Sequence, residues 1–380
     1  MKSAYFSHVW GRPGQTPGQR YDELWHEVEL AEELGFDYAF SVEHHFTPHE
    51  SWMPSPAIFC AAAAMRTSRI RLGPMGYVPP LYHPLRIAEE VATLDQLTGG
   101  RLEVGLASGV TDDFFGPYGA DFGQRRELTQ ESVDLVRTAL STDGPFDFAG
   151  PAHAMSDVSL SFGAVQKPHP PLWVPTTNRA TLRYLASIGA HTSATMLLPR
   201  SMLGTVYRHY VDWWRAAGHP GEPNIGYWTL VHVAPTDEEA ESRAYPHIVH
   251  TLTKTLGYGQ ADAGRSGSAV AGSSGLNTAE ILKHAGDVSF LRRHNLVFVG
   301  SPETVASQIK AAAEEGCFNT VLAELNFGHL TEAEIESSAT LFSTEVMPAL
   351  REEPGSQDEV YSAAESALVA DRLEALGYIE

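Results

Sequence analysis

Short runs of apolar, β-branched and aromatic residues alternate along the chain with longer stretches in which apolar residues recur at helical spacing. Ala4–Val9 predicts a strand, and Tyr21–Leu34 a helix whose Leu24, Val28, Ala31 and Leu34 share one face before Gly35 ends it. Phe36–Val42, Ile70–Gly76 and Arg101–Ala107 predict further strands, with helices at Pro56–Met65, Leu85–Leu97 and Arg125–Leu140. The alternation continues through Leu172–Pro175, Ala180–Ile188, Ala190–Met196, Leu203–Ala217, Ile225–Val233, Thr304–Glu315 and Thr320–Leu325. Eight strands are counted, near residues 4, 37, 70, 102, 172, 191, 226 and 320.

Repeated strand–helix units require right-handed crossovers, and hence a parallel sheet with helices outside it. Eight units favour an α/β (β/α)8 TIM barrel over an open doubly wound sheet. The open sheet's glycine fingerprint is also missing, since the first strand runs into His8-Val9-Trp10-Gly11-Arg12-Pro13. Two stretches stand outside the repeat. Gly257–Asn277 is rich in Gly, Ser and Ala, with almost nothing apolar to anchor it, and reads as an inserted mobile loop. It would be either a passive linker or a lid over the barrel mouth. Arg351–Glu380 carries 8 acidic and 2 basic residues with helical spacing over Ala363–Leu376, an acidic helical extension beyond a single domain at 1–350.

Composition narrows the partners. The 380 residues are 43% hydrophobic, enough for a full core, and 26 basic against 47 acidic residues give a formal charge of −21. Such a field repels phosphate backbones and anionic lipid, which argues against nucleic acid or a membrane surface. The most apolar stretch, Ile58 to Met65, is far short of the roughly 20 residues a membrane helix needs. Cys60 and Cys317 are too few for a disulfide framework. With no signal-like run in Met1–Phe6, a cytoplasmic protein is expected.

The densest chemistry is Glu43-His44-His45-Phe46, with His49 and Glu50 close behind, at the end of the second strand where barrel enzymes hold catalytic groups. Neighbouring residues on a strand point to opposite sides, so His44 and His45 cannot ligate one metal ion together, and no metal is expected. One histidine facing the pocket as an acid/base, with the other turned outward in support, is favoured over two that only hydrogen-bond the strand end. The third strand ends in Gly73-Pro74-Met75-Gly76 and the fourth in Gly105-Leu106-Ala107-Ser108-Gly109, small-residue lips against which a planar ligand could lie. Asp112, Asp113, Phe114, Phe115 and Tyr118 offer pocket walls, and Arg101 reads as a structural cation that holds a helix end or pairs with Asp95. Thr176-Thr177-Asn178 before a helix is either an anion cradle, completed by an arginine from elsewhere, or plain N-capping. Trp213 and Trp214 read as packing residues.

Taken together, these pieces resemble the bacterial luciferase-like family of flavin-dependent monooxygenases. They are Glu43-His44-His45-Phe46, Leu72–Gly76 with Leu81-Tyr82-His83-Pro84 and Arg86, and Asp95 to Arg101. The loop through Gly109, Phe115 and Tyr118-Gly119, then Arg126, then Val299 to Val305 follow in the same order. The resemblance implies a TIM barrel, usually dimeric, that binds reduced FMN supplied by a separate flavin reductase. With O2 as co-substrate it would oxygenate a small or medium organic molecule through a C4a-(hydro)peroxyflavin. His44 would be the acid/base beside the flavin, Met75–Gly76 the non-prolyl cis peptide against its ring, and Arg126, Thr177 and Asn178 the phosphate end. Where the luciferase subunit has a reactive cysteine followed by an arginine, this chain has Ala107 and Ser108, which leaves Ser108 as the cofactor contact there and removes one cation. A deazaflavin-dependent hydride-transfer enzyme and a non-catalytic flavin-binding subunit are the alternatives.

Overall fold

Strands flanked by helices outside and side chains inside lose water on both faces, and near-continuous burial along each strand is the result. That is what the computed structural model shows; it describes residues 1–257 and 276–351. The eight strands are β1 (Lys2–Ser7), β2 (Tyr38–Ser41), β3 (Arg71–Pro74) and β4 (Val104–Gly105), then β5 (Leu172–Trp173), β6 (Thr192–Thr195), β7 (Ile225–Val233) and β8 (Thr320–Glu324). All nine residues of β7 are buried.

Every pairing among them is parallel. β1 lies between β8 and β2, β2 pairs with β3, and β7 lies between β6 and β8. β4 pairs with β5. Isolated bridges join Leu72 to Leu102, Tyr77 to Leu106 and Trp173 to His191. A short strand at Phe298–Gly300 adds to the far end of β7. Helices α1 (Pro17–Glu33), α2 (Pro56–Ala64), α3 (Pro84–Thr98), α4 (Arg125–Ser141), α5 (Arg179–Ile188) and α6 (Arg200–Ala216) link successive strands. After β7 come α7 (Asp237–His250) and α8 (Pro302–Gly316), and after β8 comes α9 (Glu332–Leu341).

Local chemistry sets the element ends. Thr16 and Gln19 form a reciprocal capping box at the start of α1. Gly99 and Gly189, at φ +62° and +69°, supply the left-handed residues that end α3 and α5. β1 stops two residues earlier than its apolar pattern, because Val9 takes φ +57° and turns the chain out of the sheet. An antiparallel hairpin, Phe146–Ala149 with Ala154–Val158, was not expected from the pattern, and neither were α7 and α9. Nearly all of the expected lid, 257–277, and all but the first residue of the acidic tail lie outside the described residues. No described helix is long and apolar enough to cross a membrane.

Candidate functional site

β2 delivers Glu43, His44 and His45 to the C-terminal end of the sheet. The Glu43 carboxylate is buried and accepts three hydrogen bonds: from His45 Nε2 at 2.7 Å, the Tyr82 hydroxyl at 2.8 Å and the Val78 amide at 2.8 Å. The Tyr118 hydroxyl stands 3.3 Å from the other His45 nitrogen, so the ring is occupied on both edges. His44 faces the other way, into a cavity of about 210 Å3. Its Nδ1 lies 2.9 Å from Glu50 Oε1, a close contact without hydrogen-bond alignment. Burial pushes the Glu50 carboxyl up, but the adjoining His44 ring outweighs it and holds Glu50 below the usual carboxylate range.

The same cavity is walled by Met75 and Gly76. The peptide between those two residues is cis. A Cβ on Gly76 would fall 2.2 Å from the Gly105 carbonyl carbon, so the two strand ends approach each other as bare backbone. Phe114, Trp228 and Leu256 complete the apolar wall. Phe115 packs instead beneath Gly109 and Val78. Asp112 and Asp113 are exposed and form no wall.

A second cavity, of about 500 Å3, adjoins the first at Pro175, which lines both. It gathers Ser108, Arg126, Thr176, Thr177, Asn178 and Arg179, with hydroxyls and an amide from neighbouring side chains. No carboxylate stands among the described residues that line it, in a chain with 47 of them. Arg126 is exposed, and its side chain has no hydrogen bond or ion pair to a described residue. Asn178 caps α5 through its Oδ1, which accepts from the Thr181 amide at 3.0 Å. The cap occupies the oxygen only, so capping and anion binding do not exclude each other at this residue.

Other sequence expectations resolve as structure. Arg101 does not pair with Asp95. Its guanidinium donates to the carbonyls of Thr98, Ile70 and Thr67 and to the Thr67 hydroxyl, lacing together the turns below the sheet. Asp95 accepts instead from the amide and side chain of Gln166. Trp214 is buried and donates to the Gly221 carbonyl, and Trp213 packs beside His209. Among the described residues no three His, Cys, Asp or Glu are grouped to hold a metal ion.

Sequence reasoning missed two residues of the first cavity's surroundings. His8, at the end of β1, lines it, and Glu324, at the end of β8, holds His8 from behind. A glutamate closing the otherwise uncharged run Thr320-Val321-Leu322-Ala323-Glu324 was the available signal, because a strand buried on both faces tolerates a carboxylate only with a partner.

The parallel α/β architecture, with its polar groups gathered where strands end, defines an enzyme class in which loops beyond the strands do the chemistry. Residues 1–319 match the family described as luciferase-like monooxygenase, and the chain belongs to that family, as a flavin-dependent oxidoreductase. It is 31% identical over 248 residues to the uncharacterized protein y4wF of Sinorhizobium fredii, covering 63% of this chain and 70% of that one. It is 31% identical over 241 residues to the 4-hydroxyprotoasukamycin monooxygenase of Streptomyces nodosus subsp. asukaensis, covering 60% of this chain and 63% of that one. The oxygenase component of the flavin-dependent trigonelline monooxygenase of Acinetobacter baylyi is 24% identical over 233 residues, with 60% and 64% covered. The chain thus spans less than two thirds of the latter two. Among solved structures, the monooxygenase RslO1 from Streptomyces bottropensis superposes with a TM-score of 0.77 at 25% identity, over 92% of this chain and 99% of that one. Two more share the fold at 92% coverage of this chain. The oxygenating constituent of 3,6-diketocamphane monooxygenase from Pseudomonas putida, in complex with FMN, has a TM-score of 0.70 at 22% identity and 98% of its own length. An F420-dependent secondary alcohol dehydrogenase has 0.65 at 18% and 99%.

Proposed function

We propose that the protein is the oxygenase half of a two-component system, one that takes reduced FMN from a separate flavin reductase and uses O2 to oxygenate a small or medium organic substrate. The observation that carries this reading is the pair of cavities meeting at Pro175: one lined by hydroxyls and arginines without a carboxylate, the other apolar with His44 at its wall. The first fits a phosphate and the second a flat ring. Arg126, Ser108, Thr177 and Asn178 would hold the phosphate, and Met75 and Gly76 would lie against the ring. Bound reduced flavin would supply the electrons and the site at which O2 is activated. His44, with Glu50 behind it, would hold or move a proton beside that site. Leu256 in the wall, immediately before the segment 257–277, supports a role for that segment in closing the cavity.

The succession of parallel pairings and bridges from β1 through β8 and back supports a closed (β/α)8 barrel. Residues 1–350 would form this one domain, with 351–380 as an appendage. Ile58, Leu97 and Phe162 are exposed apolar residues around one groove, which supports a homodimer through α2 and α3. A relative named as an oxygenase component supports the separate reductase.

Anaerobic titration with reduced FMN tests the reading. Arg126→Ala should weaken binding by roughly tenfold or more, one charge-assisted hydrogen bond's worth. Equal affinity in parent and variant overturns the phosphate assignment. His44→Ala should keep flavin binding and lose product, and full turnover in that variant overturns its role. The second reading, hydride transfer with a deazaflavin, is favoured by the shared fold of the F420-dependent dehydrogenase. Product formation without O2 uptake would select it.

A further inference from the structure

We propose that His8 is a second proton-transferring group of the apolar cavity, that Glu324 positions it, and that the substrate it serves carries an acidic hydroxyl on an sp2 carbon, as a phenol does. Glu324 is fully buried and accepts from two groups that can only donate, the His8 amide at 3.0 Å and the Trp228 indole at 2.7 Å. Both bonds favour the ionised carboxylate, which only accepts, and the tautomer assigned to His8 on that ground places its proton on Nδ1, 2.7 Å from Oε2. In the neutral ring this tautomer leaves Nε2 with a lone pair, and Nε2 has no hydrogen-bond partner among the described residues.

The ring is held on every side but that one. It stacks on Trp10 with centroids 4.5 Å apart and planes 20° apart, and it abuts Trp228 at 5.0 Å. Ser51 Oγ donates to the His8 carbonyl at 2.6 Å. The groups facing the ring are Glu324 from β8, Trp228 from β7, and His44 and Glu50 from the segment after β2. The His8 and His44 rings meet edge to face, centroids 5.3 Å apart. One cavity is thus lined by two histidines, each with a carboxylate partner: Glu50 beside His44, and Glu324 behind His8. The proposed flavin chemistry employs only the first.

The remaining walls are largely apolar, with the rings of Phe6, Phe114 and Trp228 among aliphatic and small residues, and suit a flat, uncharged guest. A carboxylate substrate would bring no proton to Nε2 and would meet two carboxylates already present. A phenol brings both the ring and the proton. In the step proposed, the substrate O–H bond breaks, its electron pair stays on oxygen, and the proton forms a new N–H bond at His8 Nε2. The imidazolium is stabilised by Glu324, and the anionic oxygen enriches the ring carbons to which an oxygen atom would be delivered. Only that use of the phenolate rests on the function proposed above; the proton transfer does not.

The test uses 4-nitrophenol, whose phenolate has its own absorption band, with the flavin-free full chain at one pH unit below the phenol's own midpoint. The parent protein is expected to bind the probe with a phenolate band well above that of the free probe, which is about one tenth ionised at that pH. His8→Gln should bind nitrobenzene like the parent but bind 4-nitrophenol about tenfold more weakly and in its neutral form. Glu324→Gln should retain binding and lose the band, a spectral change that a merely structural role would not produce. A parent that fails to bind the probe, or binds it only as the neutral phenol, overturns the proposal. So does an unchanged phenolate band in His8→Gln. Reduced-FMN titration of the same preparations is scored separately: its failure alongside an intact phenolate band would sink the flavin reading and leave this one standing.

Discussion

Glu43→Gln probes how firmly the His44 segment is held. The buried carboxylate takes three hydrogen bonds, and each bond to a charged acceptor contributes ~1.5–3 kcal/mol against ~0.5–1.5 kcal/mol for a neutral one. The amide keeps the shape but turns all three into neutral bonds. It also has one end that can only donate. The Val78 amide cannot accept, so the glutamine oxygen must turn to it and the NH2 group must face Tyr82 and His45. Tyr82 can accept through its hydroxyl oxygen. His45 must move its ring proton to the nitrogen facing Tyr118, whose hydroxyl stands 3.3 Å away. The expected loss of stability is ~2–4 kcal/mol, about 1 kcal/mol for each bond that loses its charge, with the forced tautomer added. Urea unfolding followed by tryptophan fluorescence reads this as a lower midpoint at unchanged slope. Flavin affinity should fall as well, because Glu43 anchors the backbone just past Met75–Gly76. An unchanged midpoint and slope would refute the idea that this carboxylate holds the segment.

Gly76→Ala should lose ~1–3 kcal/mol through overpacking, since its Cβ would strike the Gly105 backbone; a variant melting with the parent contradicts that contact. His232, fully buried with both ring nitrogens unpartnered, is pushed down to about 4, first by burial and then by Arg243. Below the unfolded value the denatured chain binds a proton that the native one refuses, so this stability is complete above pH ~6.5 and falls by ~2 kcal/mol near pH 5. His232→Leu should flatten the stability profile over that interval, and parallel profiles would rule the histidine out. Glu32 accepts from the amides of Ser68, Arg69 and Ile70 ahead of β3; burial raises its carboxyl, but those amides outweigh it and set it below the usual range. Glu32→Gln should cost ~1–2 kcal/mol, discounted for solvent, with the parent's advantage present above the unfolded carboxyl range and lost as pH falls through the lowered one; equal unfolding midpoints of the two at neutral pH would refute it.

Much of the fold is written in local periodicity. Ile225–Val233 matches β7 residue for residue, because a strand buried on both faces reads as a near-continuous run of apolar, aromatic and β-branched residues, broken here only by Gly226 and His232. Strand ends are less legible: the positive φ of Val9 depends on packing around His8 and Trp10 that apolar spacing does not encode. The hairpin at Phe146–Ala149 and Ala154–Val158 is too short and too exposed to show a pattern. His44 stood out because it lies in the dense local run Glu43-His44-His45-Phe46, with His49 and Glu50 close behind. His8 did not, since Glu324 is 316 positions away and reaches it only through the pairing of β1 with β8. Asn178 could be read as cap or cradle from sequence, and its Oδ1 caps α5, a bond that leaves the amide nitrogen out of the cap.

The carboxylate-free cavity sits in a chain of net charge −21, and that contrast separates arrival from residence. A dianion diffusing from bulk solvent climbs a repulsive potential before it reaches the arginines, so added salt should quicken its capture even while loosening its final hold. Electrostatic steering of this kind is inverted. A carrier that releases its cargo at the cavity mouth bypasses the barrier, whereas free anions of the same charge are held at a distance.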